Sequence, residues 1–413
     1  MVQLPLKRSA PSSAEISAAN VPMSSIHLDA LRGAAALVVF LGHTRDLYFQ
    51  SLFHPKTQAL SDSGTQALPS SPIPAADSRI TFGNEAVMIF FVLSGYLVGS
   101  GFLRALRRRT WTWRDYLIKR MTRLWVVLIP ALLFGVSLDY IGVHFLDSPG
   151  SIYTAPAQQA VVHDVAHLLT ARVIVGNLVF LQGIRVPSAG SNDSLWSLAN
   201  EFWYYLAFPL LVLALVREQT FWRRGLNLLL FLGIALLAGK GVGALFPVWV
   251  LGALISLVPL RIPKKTARVL LCTTAVLFPA VLVEARSLSL PLYAAQWLIA
   301  FCSAVLIYLI RHQTQKGQRG LYPASAQFLS RISYTLYLVH LPLAVFICAC
   351  INRPWHRWNR SPQHVALYAA INAGILLFCW LFYLAFEAHT DRVRQLFEVR
   401  EHAAESGIPA RAA

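Results

Sequence analysis

The chain has 413 residues, of which 56% are hydrophobic and only 13% are charged. A soluble globular domain carries about 25% charged residues, so this composition argues against a soluble protein. The formal net charge is +17, but the basic residues stand between long apolar runs, which favours membrane topology over nucleic-acid binding. The sequence therefore predicts an integral membrane protein.

The first segment, residues 1–26, is polar and rich in Ser, Pro and Ala. It lacks an apolar stretch of signal-peptide length, so we predict a disordered cytoplasmic tail. Residues 27–390 form one predicted transmembrane domain, and residues 391–413 form a second cytoplasmic tail. A bilayer core about 30 Å thick needs about 20 apolar residues per helix, and helices are required because backbone groups cannot stay unpaired in lipid. The ten predicted spans are 30–50, 84–103, 121–143, 197–216, 225–241, 243–260, 268–285, 290–311, 331–352 and 366–387.

An eleventh apolar stretch, 168–184, is short and contains Arg172, Asn177 and Gln182. With ten spans and both ends in the cytoplasm, most basic loops lie inside, as the positive-inside rule requires. Counting this stretch as a span would move three basic loops to the outer face. We therefore predict an all-α polytopic protein with a re-entrant or interfacial helix in an outer excursion at 144–196.

Metal binding and disulfides are not expected. All five cysteines lie inside apolar segments, which indicates small buried side chains rather than a disulfide framework or a zinc site. His163 and His167 are one helical turn apart in the outer excursion, but no third ligand is close in the sequence. No metal site is predicted.

Arg32 and His43 are the candidate residues of the first span, whose segment 28–43 reads LDALRGAAALVVFLGH. Ionisable groups at membrane depth are costly and indicate function by default. Arg32 and His43 stand about 16 Å apart along a helix, so Arg32 lies near the cytoplasmic face and His43 about halfway across or beyond. A neutral His can act as a base near pH 7. A structural His bonded to a neighbouring helix is an equal alternative.

Further polar residues interrupt the second, third and fourth spans. Ser94 lies in the middle of the second span. It has two interpretations: a nucleophile, or a hydroxyl that is hydrogen-bonded to its own backbone. Arg120 and Arg123 belong to the cationic stretch 104–123, which fits anionic lipid head groups or a phosphate-bearing ligand. Glu201 lies about one turn inside the outer boundary, either as a rim carboxylate or as a group that orients a base or a substrate hydroxyl. The aromatic residues around it suit either an interfacial belt or a sugar ring.

Ser333, Tyr337 and His340 in the ninth span are spaced i, i+4, i+7. This spacing places them on one helical face, and three polar groups on one face must contact protein or water rather than lipid. His340 is then expected at a depth not far from that of His43.

Together these segments resemble the acyltransferase 3 family of bacterial membrane O-acyltransferases, over roughly residues 26–390. The matching segments occur in family order, each in the corresponding span. They are LDALRG with Arg32 followed by His43, FFVLSGY at 90–96, KRMTR at 119–123, WSLANEFWYY at 196–205 and ISYTLYLVHLP at 332–342.

Two positions depart from the family pattern. Many members carry an acidic residue where this chain has Met88, which indicates a different subgroup and acceptor. Many members end the last span with Glu-x-Pro, where this chain has Glu387-Ala388-His389. The second departure puts only the terminal motif in doubt.

The resemblance implies ten helices with both ends inside, in the bacterial inner membrane. It implies transfer of an acyl group, most often acetyl, from acyl-CoA as co-substrate to a hydroxyl of a sugar, exported glycan or glycoside. No permanently bound cofactor is expected, and partners would include anionic lipids and glycan-assembly proteins but no nucleic acid. The implied base is His43, with Glu201 and His340 as further catalytic residues. The resemblance implies that acyl-CoA is bound by Arg32, Arg120 and Arg123. The implied substrate or support residues are Ser94, Ser333 and Tyr337.

The alternative from another class is a transporter or exporter of a glycan or lipid-linked intermediate, because buried His, Glu and Arg also occur along transport paths. Inverted repeats or paired broken helices would favour transport, and none is evident. The acyl-transfer hypothesis predicts that His43 shares a water-accessible cavity with the arginines that bind the donor.

Overall fold

The computed structural model describes residues 22–49, 83–154, 162, 164–287, 292–315 and 320–406. Within these ranges there is no β-strand, and nine helices are long and apolar enough to cross a membrane. The predicted all-α polytopic fold is confirmed. The nine helices are α1 (Met23–Tyr48), α2 (Gly83–Arg107), α3 (Trp113–Phe145), α5 (Leu195–Leu215), α6 (Phe221–Ile255), α7 (Lys264–Ser287), α8 (Leu292–Arg311), α9 (Leu321–Ile351) and α10 (Pro362–Ala385).

α6 is a helical hairpin rather than one long rod. Gly239 in its middle has φ 69° and ψ −168°, a conformation that glycine adopts without the steric penalty of a Cβ. Phe231 and Phe246 would be about 22 Å apart along a straight helix, yet their ring centroids are 6.0 Å apart. α6 therefore folds back on itself and supplies two crossings, which correspond to the predicted spans 225–241 and 243–260.

Contacts between chain segments assign the helix ends to two faces. At one face the Met23 N–H donates to Gln315 O over 2.8 Å, and we call it the basic face because it also carries the stretch 104–119. At the opposite face the Trp358 N–H donates to Tyr48 O over 2.6 Å. With ten crossings, the bundle begins and ends at the basic face, which the charge pattern predicts to be cytoplasmic.

The two predicted tails are described only in part. Residues 1–21 of the predicted first tail lie outside the described residues, and α1 begins at Met23. After α10, a short 3₁₀ turn (Glu387–His389) leads into a further helix, α11 (Thr390–Ser406). α11 packs along the basic face, where Arg114 Nη2 donates to Phe397 O over 3.5 Å.

The segment predicted to be re-entrant contains a helix, α4 (Ala171–Leu178), of only eight residues. Such a helix is about 12 Å long, too short to cross a bilayer, so the prediction is confirmed. Its inner end is anchored in the bundle, because Trp125 Nε1 donates to Leu178 O over 3.0 Å. Trp203 Nε1 donates to Phe180 O over 2.8 Å, and the chain then returns to the start of α5.

The predicted burial of the cysteines is only partly correct. All five are free, and Cys348 and Cys379 are buried, but Cys272 and Cys350 are exposed on the surface of the bundle. An apolar run fixes the depth of a residue in the bilayer but not the side of the helix on which it lies. The described residues contain no group of three His, Cys, Asp or Glu side chains that could hold a metal, and His163 lies outside them.

α2 approaches the second arm of α6 very closely where both helices carry glycine. A Cβ added to Gly95 would overlap the Trp249 carbonyl oxygen. Small residues allow helices this close in membrane bundles. At the same level α2 widens into a π-helical turn, Gly95–Gly99, a distortion that is frequent at functional sites. The turn begins directly after Ser94.

The contact between α2 and α6 predicts that Gly252→Ala destabilises the protein. The added Cβ would lie 2.8 Å from Val92 C and 2.9 Å from Tyr96 N, and backbone atoms in a helix cannot yield separately. Overpacking of this kind costs about 1–3 kcal/mol, measurable as a lower melting temperature in detergent. Gly101→Ala is the matched control, because its added Cβ would have no atom within 4 Å. Equal melting temperatures for the two variants would contradict the contact.

Candidate active site

A cavity of about 620 Å³ lies among α1, α2, α3, α5, α9 and the start of α11. Its volume is in the range of small-molecule sites. Of the nine predicted site residues, seven line it. These seven are Arg32, Ser94, Arg120, Arg123, Glu201, Ser333 and Tyr337.

The cavity lining carries more basic than acidic side chains. A positive cavity attracts anionic ligands, and guanidinium groups match phosphate oxygens in geometry. Sequence reasoning missed three of the basic residues, Lys119, Arg331 and Arg394, because nothing in their local spacing shows that they face the same space. The basic residues are Arg32, Lys119, Arg120, Arg123, Arg331 and Arg394, against Asp29, Glu201, Glu387 and Asp391.

Two of the predicted arginines are held by other helices. Arg32 Nη1 donates to Ser330 Oγ over 3.2 Å, and Ser330 Oγ donates to Asp29 Oδ1 over 2.8 Å. Arg123 Nη1 lies 2.6 Å from Glu387 Oε1, and the Arg123 side chain is still 41% exposed. Both groups are therefore oriented by the protein while Arg123 keeps a surface for a ligand.

Arg120 differs from these two arginines in its partners. Its guanidinium lies 5.9 Å from the centre of the Tyr205 ring and 6.0 Å from that of Tyr116, which are cation–π distances. Among the described residues no carboxylate pairs with it, and its buried Nε has no hydrogen-bond partner. Arg120 is thus a positioned cation that forms no ion pair with a described acidic side chain.

Ser94 and Glu201 form a hydrogen-bonded pair inside the cavity. Ser94 Oγ donates to Glu201 Oε1 over 2.6 Å, and Trp249 Nε1 donates to Ser94 Oγ over 3.1 Å. The Tyr205 hydroxyl also donates to Glu201 Oε1. Of the two alternatives for Ser94, bonding to its own backbone is therefore wrong. Glu201 holds an internal position in the bundle rather than a solvated one at its rim.

His43 and His340 form a direct pair that joins α1 to α9. His340 Nδ1 lies 2.7 Å from Leu336 O, and because a carbonyl only accepts, this nitrogen carries a hydrogen. In the neutral ring His340 Nε2 is then an acceptor, and its partner is His43 Nδ1 at 2.9 Å. Hydrogen-bond logic therefore assigns the hydrogen of His43 to Nδ1 and leaves the lone pair on His43 Nε2.

The expectation that His43 shares a cavity with the arginines is wrong. Neither His43 nor His340 lines the 620 Å³ cavity. Tyr337 lies between, because its ring lines the cavity and its centroid is 6.3 Å from that of His340. Phe90 packs beside it at 6.0 Å. Tyr337, with Phe90 packed against it, therefore lies between the cavity and His340. We call these two side chains the aromatic layer.

The prediction that Ser333, Tyr337 and His340 share one face of α9 is confirmed in part. Ser333 Oγ donates to Ser330 O of its own helix over 2.7 Å, so this hydroxyl is engaged locally. The Tyr337 hydroxyl is 2.6 Å from Ser197 Oγ, which fixes the aromatic layer to α5. His340 continues the same face and is fully buried.

These features define a multi-pass helical membrane protein with a cationic cavity at its basic face. Behind that cavity lies a histidine pair in which His340 is fully buried. A family model described as an acyltransferase domain, that of acyltransferase 3, matches residues 26–384. The chain belongs to this family and is an acyltransferase for groups other than aminoacyl groups. Family membership favours acyl transfer over the transporter alternative. Comparison with curated proteins and with solved structures gives no match.

The position of Glu387 predicts a structural role for the end of α10. Glu387 Oε2 accepts from Thr335 N over 3.2 Å and from Thr335 Oγ1 over 2.6 Å, while Oε1 pairs with Arg123. Glu387→Ala would leave buried donors unpaired, at a cost of about 1–3 kcal/mol, seen as a lower melting temperature. Asp391→Ala is the matched control, because its carboxylate in the Arg394 pair is 76% exposed and such pairs contribute about 0–1 kcal/mol. Equal losses would contradict this role.

Proposed function

We propose that the protein is an O-acyltransferase of the bacterial inner membrane. It would move an acyl group, acetyl in the first instance, from acyl-CoA to a hydroxyl of a sugar, exported glycan or glycoside. The observation that carries the donor assignment is the cluster of cavity cations. Its member Arg120 forms no ion pair with a described carboxylate, and its buried Nε has no hydrogen-bond partner. Family membership supports the acyl-transfer chemistry.

The donor enters from the basic face on this proposal. The phosphates of the nucleotide end bind Arg120 and Arg123, with Arg32 nearby, because guanidinium groups bind phosphate oxygens strongly. The pantetheine arm then extends along the cavity, and the thioester end approaches Ser94 and the aromatic layer. This assignment uses five of the seven predicted residues that line the cavity: Arg32, Ser94, Arg120, Arg123 and Tyr337.

The acceptor reacts at the histidine pair. Its hydroxyl transfers the proton to His43 Nε2 while the hydroxyl oxygen attacks the thioester carbonyl. The carbon–sulfur bond breaks, coenzyme A leaves as the thiolate, and an ester forms on the acceptor. His340 is a positioning residue here, since it accepts from His43 Nδ1 and so keeps Nε2 available. The aromatic layer must shift at this step, because Tyr337 lies between donor and base.

Direct transfer is the test of this function. The detergent-purified protein is incubated with acetyl-CoA labelled in the acetyl group and with a panel of soluble and lipid-linked sugars. Label on the acceptor that mild alkali releases identifies an ester and supports O-acylation. Alkali-stable label would identify an amide instead and contradict the hydroxyl as acceptor group.

The donor assignment predicts that Arg120→Gln raises the KM for acetyl-CoA about tenfold or more, because a charge-assisted hydrogen bond contributes about 1.5–3 kcal/mol. Acetyl-pantetheine has no phosphate, so parent and variant should use it alike. Arg223→Gln removes an equal charge from an exposed position outside the cavity and serves as control. An equal loss with both donors would show that Arg120 does not bind phosphate.

The hydrogen bond between His43 and His340 predicts different results for two substitutions of His340. His340→Gln retains an acceptor for His43 Nδ1–H and should keep more activity than His340→Leu. His43→Ala should lose at least about tenfold in activity, since a positioned base contributes about 10²–10⁴-fold. Nitrogen-15 NMR of labelled histidine should show His43 protonated at Nδ1 in the parent and in His340→Gln, but not in His340→Leu.

Two results would contradict this role of the pair. One is undiminished transfer by His43→Ala at normal expression, and the other is an Nε2-protonated His43 in the parent protein. His27→Ala is the matched control on α1. His27 lies at the basic face, where its Nδ1 is 2.6 Å from the Tyr322 hydroxyl, and its loss should leave the transfer rate unchanged.

A further inference from the structure

A second concave surface lies on α4 and the turn that follows it, away from the acyl-transfer cavity. This groove has a volume of about 470 Å³ and is formed by one chain segment. Its lining combines two arginines with apolar side chains and contains no carboxylate. The lining residues are Ala171, Arg172, Val175, Gly176, Val179, Leu181, Arg185 and Val186.

The groove lies beside the apolar part of the bilayer. The inner end of α4 at Leu178 is bonded to Trp125, which stands about 18 Å along the axis of α3, a helix about 50 Å long. Val175 is 58% exposed and Val179 is 44% exposed. These side chains form an apolar wall that faces outwards at membrane depth.

The two arginines on this wall have no protein partner among the described residues. Arg172 and Arg185 are both exposed, and neither side chain makes a hydrogen bond or an ion pair within the described part of the chain. An unpaired cation near hydrocarbon is costly and seeks an anion or the lipid–water interface. A guanidinium pair on one groove matches a phosphate group in charge and geometry.

The groove is held in shape by buried hydrogen bonds beneath it. Asn177 is fully buried, and its Nδ2 donates to Val173 O over 2.8 Å and to Pro187 O over 2.9 Å. Its Oδ1 accepts from Ala189 N over 3.2 Å. The helix and the returning turn are therefore tied together, and the two arginines project from a fixed support.

We propose that this groove binds a phosphate-bearing lipid. Its phosphate would lie between Arg172 and Arg185, and its hydrocarbon chain would lie along Val175 and Val179. The charge of the arginines and the absence of a lining carboxylate select the anionic phosphate, while the apolar wall selects a lipid over a soluble phosphate. The proposal is independent of the acyl-transfer function, because it uses none of the cavity residues.

Binding to the full-length protein in a neutral detergent tests the proposal. The probe is phosphatidylglycerol, compared with diacylglycerol of the same chains, and native mass spectrometry measures occupancy. Arg172→Gln and Arg185→Gln should each weaken phosphatidylglycerol binding about tenfold, the effect of one charge-assisted contact. Arg223→Gln, an exposed arginine elsewhere, should leave the affinity of the groove unchanged. Diacylglycerol should bind weakly to all of them.

A further variant separates the lipid chain from the charge. Val179→Trp fills the apolar wall but keeps both arginines, and it should also weaken phosphatidylglycerol binding. Three results would overturn the proposal: parental affinity in both arginine variants, equal affinity for diacylglycerol, or inorganic phosphate that competes as strongly as the lipid. Each variant changes one residue of α4 or of the turn that follows it, so melting temperatures equal to that of the parent establish that a loss of binding is local.

Discussion

Polar side chains that lie at membrane depth must find their partners inside the bundle, and this constraint organises the structure. Lipid offers neither donors nor acceptors, and two central groups of the candidate site are bonded to a different helix. The Ser94–Glu201 bond joins α2 to α5, and the His43–His340 bond joins α1 to α9. The same contacts that make these groups tolerable in a membrane also fix the geometry of the candidate site.

Hydropathy and charge in the sequence predicted most of the fold. All ten spans, including the two arms of α6, could be located because a bilayer imposes a minimum apolar length on each helix. The re-entrant nature of 168–184 followed from charge balance across the loops. The rotation of each helix about its axis could not be predicted in this way, and Cys350 is an example. It lies in an apolar run of α9 but is exposed.

The sequence predicted which residues belong to the candidate site better than it predicted how those residues are arranged. Depth and spacing brought His43 and His340 to a similar level, and the structure places them in contact. Sequence could not show that Tyr337, one turn before His340, turns its ring into the cavity. It also missed Lys119, Arg331 and Arg394, because their proximity depends on how α3, α9 and α11 meet at the basic face. Such contacts are set by tertiary packing rather than by local pattern.

The aromatic layer keeps the donor and the base apart in the proposed mechanism. On the proposed mechanism, Phe90 and Tyr337 lie between the donor cavity and the base. A thioester in the cavity would therefore not meet His43 while the layer is closed. Keeping a reactive donor apart from a general base limits its loss to water. The Tyr337 hydroxyl is held by Ser197 on α5, and Glu201 lies one turn further along the same helix. Movement of α5 would therefore shift the layer and the Ser94–Glu201 pair together, which couples the donor end of the cavity to the opening of the path to His43.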